Sequence, residues 1–188
     1  MALSLTRESS LVARDDSQQP LAFKAIYSRH FRNVWRTLRR LGVSDAQLDD
    51  AAQDVFLVVH KKLEGFDGRS LRGWLYAIMV RVASDYRRSA VQGRSAPLTE
   101  AVEDVAPGPA EVSERNESVR LLHTLLGELD DRKREVFVLG ELEQLSAPEI
   151  AEVLGVNLNT VYARQRAARQ QFDATLKRHQ QRSRGGEP

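Results

Sequence analysis

Apolar residues recur at three- and four-residue intervals along most of the chain, the period of helices with one buried face, and nowhere alternate as a half-buried strand would. One such stripe, Phe23, Ile26, Tyr27, Phe31, Val34 and Leu38, predicts a helix over about 21–41, with a stop at Leu41-Gly42. A second, Leu48, Ala52, Val55, Phe56 and Val59, predicts a helix over about 45–63. A third, Leu71, Trp74, Leu75, Ile78 and Val82, predicts one over about 70–90. Residues 91–117 then hold three prolines and no sustained period, the mark of a linker, before helical spacing resumes over about 114–128 and 131–141. Residues 1–19 are polar and rich in Ser, Asp and Gln, the composition of a disordered terminus, and 179–188 form a polar, frayed tail. The expected architecture is all-α: two small helical domains, 20–90 and 118–178, joined by a flexible acidic, proline-bearing linker.

The pattern over 146–169 is the most informative. Ser146 followed three residues later by Glu149 is a capping box, and Pro148 falls in the first turn, where a missing N–H is harmless. Ile150, Ala151 and Leu154 make the buried stripe of a short helix. Gly155 stands where the chain must leave that helix with positive φ, Asn157 can cap the next one, and Val161 can plug back into the core. A small residue, a glycine and a β-branched plug at this spacing describe a helix-turn-helix, whose second helix lies in the DNA major groove. An ordinary helical hairpin has the same outline; the cations Arg164, Arg166 and Arg169 on the second helix favour the DNA reader.

Charge distribution sharpens the picture where the total does not. Net charge is only +2 over 188 residues, but residues 1–90 carry fifteen Lys/Arg against ten Asp/Glu, residues 91–117 two against six, and the stretch from Thr160 onward seven against two. Basic lobes flanking an acidic connector fit a nucleic-acid binder with two contact sites. Hydrophobic residues at 41% suffice for real cores, and a mean hydropathy of −0.44 with no long apolar run predicts a soluble protein without membrane insertion. No export signal stands at the N-terminus. The absence of cysteine excludes disulfides, thiol chemistry and cysteine-bound zinc and fits a reducing cytoplasm.

Two further clusters bear on function. Asp45, Asp49, Asp50 and Asp54 share a helix with Phe56 and Leu57, with Asp50 and Asp54 one turn apart on an open face. Such carboxylates either complement the helix dipole or form a docking surface for a basic partner; a metal site would need convergent ligands from elsewhere. The segment Lys61–Leu75 is a glycine-punctuated, basic loop leading into a helix that presents Arg81, Arg87 and Arg88. Cations interleaved with Phe66, Trp74, Tyr76 and Tyr86 are what single-stranded nucleic acid requires, charge for phosphates and rings for unstacked bases, although Trp74 alone reads more readily as a core residue than as a stacking platform. The glycines spell no phosphate-cradling loop. His30, His60, His123 and His179 form no ligand spacing, no catalytic arrangement is present, and neither a cofactor nor a metal is expected.

In order along the chain, Asp49-Asp50-Ala51-Ala52-Gln53-Asp54-Val55-Phe56-Leu57, Phe66-Asp67-Gly68, Trp74-Leu75-Tyr76-Ala77-Ile78 and Ser84-Asp85-Tyr86-Arg87-Arg88 resemble the second conserved region of bacterial sigma factors, in the extracytoplasmic-function group of the sigma-70 type. Arg134-Glu135-Val136-Phe137, Glu149-Ile150-Ala151-Glu152, Thr160-Val161 and Ala168-Arg169 resemble the fourth region. The likeness covers about 21–90 and 118–177. It implies a promoter-specificity subunit, with no catalysis of its own, that works in the cytoplasm with core RNA polymerase. By this resemblance Asp49, Asp50, Gln53, Asp54, Phe56 and Leu57 would dock on the polymerase. Phe66, Arg69, Arg72, Trp74, Arg81, Asp85, Arg87 and Arg88 would capture the melted, single-stranded minus-10 element. Asn157, Asn159, Thr160, Tyr162, Ala163, Arg164, Arg166 and Arg169 would address the minus-35 duplex. A cognate anti-sigma factor, often membrane-anchored, is the implied regulator.

Three positions depart from the family pattern: Arg81 in place of asparagine, Asp130 in place of proline, and Gln165 in place of an inward-packing leucine. A buried glutamine needs partners, so Gln165 implies a rotated or looser recognition helix. Two other readings remain at this point. One is a stand-alone helix-turn-helix regulator with an N-terminal signal-receiving domain, which would bind duplex tightly by itself. The other is a helical adaptor or anti-sigma antagonist, which would be indifferent to loss of Arg164 and Arg166.

Overall fold

The computed structural model describes residues 23–91 and 109–184, and these are helical nearly throughout. Helix α1 (Phe23–Arg40), α2 (Leu48–Lys62) and α3 (Leu71–Val91) pack on one another as an N-terminal lobe. Helices α4 (Pro109–Gly127), α5 (Asp131–Phe137), α6 (Ala147–Leu154) and α7 (Leu158–Arg184) form a C-terminal lobe, with α7 lying against α4, α5 and α6. Short 3-10 turns at Asp45–Gln47 and Leu63–Gly65 open and close α2. The two lobes touch: α3 packs against α6 and α1 against α4, and the buried apolar residues form one continuous cluster running through both.

The helical stripes are the core. Val34, Leu38, Leu48, Ala52, Val55, Phe56, Val59, Leu75, Ile78 and Val82 are buried in the first lobe, and Ile150, Val161 and Ala168 in the second. Tyr27 and Phe31, expected on the buried side of α1, are instead 42% and 36% exposed. A third helix closes only part of the α1–α2 face, so these rings lie at its rim. There Tyr27 and Phe31 pack over Phe56, with centroids 4.7 and 6.2 Å away.

Element ends differ from expectation in three places. Helix α4 begins at Pro109, inside the stretch read as linker, with proline at a first position that has no N–H to satisfy; residues 92–108 lie outside the described residues, as does the 1–19 terminus. Helix α7 continues through Arg184, because Gln and Arg are good helix formers and no breaker intervenes before Gly185. The third difference is at the end of α5, which is shorter than the 131–141 span and widens into a π turn over Val138–Leu142, closed by the Glu143 amide donating to the Val138 carbonyl at 2.9 Å. Gln144 follows with φ +57, a left-handed conformation unusual for a residue larger than glycine; its side-chain Nε2 donates to the Glu141 carbonyl at 2.7 Å.

Candidate nucleic-acid interface

The helix-turn-helix is built as its sequence dictates. The amide and hydroxyl of Ser146 both donate to Glu149 Oε2, at 2.7 and 2.6 Å, which closes the N-terminal box of α6. Those hydrogen bonds hold the Glu149 carboxyl below its ordinary range. Gly155 leaves α6 at φ +63. Asn157 Oδ1 accepts from the Thr160 amide at 2.8 Å and caps α7. With Ile150, Val161 and Ala168 fully buried, the opposite face of α7 is turned to solvent and carries Asn159, Tyr162, Ala163 and Arg166, Tyr162 being 54% exposed. Thr160 and Arg164 are half-buried at its edge, and Arg169 pairs with Glu141 at 2.5 Å.

Gln165 is accommodated by a glycine. It is half-buried, and its Nε2 lies 2.5 Å from where a Cβ on Gly140 would stand. The widened turn and the missing side chain at 140 together receive a polar side chain on the inward face of α7. Asp130, the second departure, is the N-cap of α5: its carboxylate accepts from the Lys133 amide at 3.0 Å, and its pairing with Lys133 holds its pKa down. Arg134 closes α4 from the other side, donating to the carbonyls of Leu126 and Leu129 at 2.8 and 2.9 Å. Arg81, the third departure, is exposed on α3.

On the N-terminal lobe the aromatic and basic residues do come together at the start of α3. Phe66 packs at a tilt against Trp74 with centroids 4.9 Å apart, both half-buried. Ser70 Oγ accepts from the Gly73 amide at 3.0 Å and caps α3, while the exposed Arg69 turns back to Asp67 at 3.3 Å. Arg88 pairs with Asp85 one turn away. Arg72 and Arg87, by contrast, are engaged by the other lobe. Arg72 donates to the Glu143 carbonyl, and Arg87 donates to Glu135 Oε1 at 2.8 Å.

The acidic cluster faces outward on α2, with each member held differently. Asp49, Asp50, Gln53 and Asp54 are all exposed; Asp49 accepts from the Trp35 indole N–H at 3.0 Å and Asp54 from the Tyr86 hydroxyl at 2.8 Å. Burial, reinforced by Asp54 and then Asp50, pushes the Tyr86 phenol far above its usual pKa. Leu57 is 47% exposed beside them, but Phe56 is 3% exposed and supports the surface from beneath. Among the described residues, no group of His, Asp and Glu could hold a metal ion and no helix is long and apolar enough to cross a membrane.

Glu143 had no signal in the sequence. It stands in the polar run Gly140-Glu141-Leu142-Glu143-Gln144, which reads as a solvated turn, yet its side chain is only 5% exposed and all its partners lie about 70 to 100 residues away.

Comparison with known proteins matches this layout. The Sigma-70 region 2 signature matches residues 26–92 and the Sigma-70, region 4 signature residues 120–172. The RNA polymerase sigma factor NccH of Alcaligenes xylosoxydans xylosoxydans is 32% identical over 92% of this chain and 96% of its own. The RNA polymerase sigma factor CnrH of Cupriavidus metallidurans is 33% identical over 88% and 92%. The ferric citrate uptake sigma factor FecI of Escherichia coli is 34% identical over 75% and 83%. Among solved structures, CnrH in complex with the cytosolic domain of CnrY superposes with a TM-score of 0.63 at 29% identity, covering 86% of this chain and 91% of that one. The sigma factor RpoE in complex with the anti-sigma factor NepR from Bartonella quintana shares the fold, with a TM-score of 0.62 at 20% identity over 82% and 96%.

Proposed function

Because the chain belongs to the sigma-70 family of RNA polymerase sigma factors, in its extracytoplasmic-function group, we propose that its two lobes divide promoter recognition between them. The C-terminal lobe reads the minus-35 duplex and the N-terminal lobe captures the opened minus-10 strand. The observation that carries this is the exposed row Asn159, Tyr162, Ala163 and Arg166 on a helix whose other face is locked into the core. A fixed helix presenting a few polar and aromatic side chains can read base edges, while its cations position on phosphates. Promoter elements 16–18 base pairs apart lie roughly 55–60 Å from each other along a duplex. Residues 92–108, between α3 and α4, would span roughly 56–61 Å if fully extended.

Core polymerase docks, in this reading, on the open face of α2. Exposed Asp50, Gln53 and Leu57 share one face of α2, a combination of charge and apolar surface suited to a basic, partly apolar partner. The protein supplies recognition and the polymerase supplies catalysis. A protein that covers the same faces, an anti-sigma factor, is the natural regulator, holding the chain at a membrane where that factor is anchored.

Run-off transcription with purified core polymerase on a promoter library tests the assignment: addition of the protein should give discrete, promoter-dependent transcripts. Indifference of transcription to its presence would refute it. In the same assay Asp50→Lys with Leu57→Lys should weaken core binding at least about tenfold with helix content unchanged, in line with the loss expected when a charge is reversed and an anchor removed at an interface centre.

A further inference from the structure

Much of the face of α7 turned toward the minus-35 duplex is already engaged within the protein. Asn157 Oδ1 accepts from both the amide and the hydroxyl of Thr160 at 2.8 Å, so these two polar groups are committed to the cap. Arg164 is half-buried, and its charge acts on the Glu135 carboxylate. Arg169 is exposed but tied to the π turn: its Nε and Nη2 both meet Glu141 Oε1, at 2.7 and 2.5 Å. Asn159, Tyr162, Ala163 and Arg166 remain, all exposed.

These four are not equal as readers. Asn159 and Arg166 make no hydrogen bond or ion pair among the described residues. In the first three turns of α7, the part of a recognition helix that meets base edges, they alone on the open face end in a planar head with two hydrogen-bonding atoms. A carboxamide matches adenine, accepting from N6 and donating to N7, and a guanidinium matches guanine, donating to O6 and N7. The Tyr162 hydroxyl offers one bond and Ala163 none. With only a methyl group between the two heads, Ala163 leaves the helix room to approach the groove floor. Val161 and Ala168, fully buried on the reverse side, fix the rotation of the helix and so the direction of both heads. Seven residues separate 159 from 166, two helical turns, which sets them roughly 10 Å apart along the axis, about three base-pair steps.

We propose that Asn159 and Arg166 determine which minus-35 sequence the protein accepts, Asn159 selecting an adenine and Arg166 a guanine about three base pairs from it. This rests on the reading of the C-terminal lobe as the minus-35 reader and adds the bases that lobe demands. The rival role for Arg166 is a phosphate contact, which would strengthen binding to every sequence alike.

Selection from a promoter library randomised over the minus-35 element, with the full-length protein and purified core polymerase, tests the assignment. The wild type should select one adenine and one guanine at that separation. Arg166→Gln exchanges a guanidinium for a carboxamide, so the selected guanine should give way to adenine, a change in preference of about tenfold or more. Asn159→Ala should lose selection at the adenine alone. Both side chains are exposed and unpartnered, so thermal midpoints of the variants should match the wild type. Affinity of Arg166→Ala measured over a salt series separates the two roles: equal weakening on all sequences, with the salt slope reduced by about one, identifies a phosphate contact and overturns the assignment. Base preferences unchanged in Arg166→Gln and Asn159→Ala overturn it as well. A wild type that selects no minus-35 sequence at all strikes the sigma reading itself, whereas a selective wild type with unshifted variants strikes only the roles of these two residues.

Discussion

Asn157 shows how much one side chain settles here. Its carboxamide caps the recognition helix through the Thr160 amide and also accepts from the Thr160 hydroxyl at 2.8 Å. Asn157→Ala should therefore destabilise the C-terminal lobe by about 1 kcal/mol, read as a lower thermal midpoint, before any effect on DNA is considered. Ile150 is fully buried between α6 and its neighbours, and Ile150→Ala should cost about 2–5 kcal/mol in the same measurement. Both residues were legible in the sequence, because capping and apolar spacing are local. Asp130 was not: its residue type marks only a departure from the family's proline, and its place ahead of α5 shows that it caps that helix.

At the scale of elements, local rules succeeded where a helix is bounded by its own residues and failed where its boundary depends on another. The capping box, Gly155 and the stripes of α2 and α3 could all be read directly. The π turn after α5 could not, because it is shaped by Gly140 receiving Gln165 from α7, a partner 25 positions on. A bulky residue at 140 should expose that dependence. Gly140→Val would meet both the Gln165 amide and Ile150 Cδ1, and should cost about 1–3 kcal/mol as an overpacked site does; adding Gln165→Ala should return part of it in a double-mutant cycle.

The seat of α4 on α1 carries a pH dependence. Burial, then Arg39 and Arg40, holds the His123 imidazole below its ordinary value of 6.5, with Asp45 opposing. As pH falls through 6.5 the unfolded chain gains this proton and the folded one does not, so stability should decline on mild acidification until the lower folded value is passed. His123→Gln should flatten thermal midpoints over that window; an identical slope in the variant would refute the assignment.

For the molecule as a whole, two separately legible halves are joined by a contact that neither reveals alone. The sequence showed basic lobes and an acidic connector, but not that Arg72 and Arg87 bind carboxyl and carbonyl groups of the other half, since pairing across about 50 to 70 residues leaves no periodic trace. Polar groups border that contact while buried apolar residues run through it. Hydrogen exchange should find the amides of the irregular Glu143 turn exchanging before those of α2, whose apolar stripe is buried.

Arg87 bridges the two lobes, and this has a genetic consequence. A substitution there removes its pairs with Glu135 and Asp131 as well as the DNA contact proposed for it, so alleles at 87 should score as loss of function for two separable reasons, and Glu135→Gln should reproduce only the first.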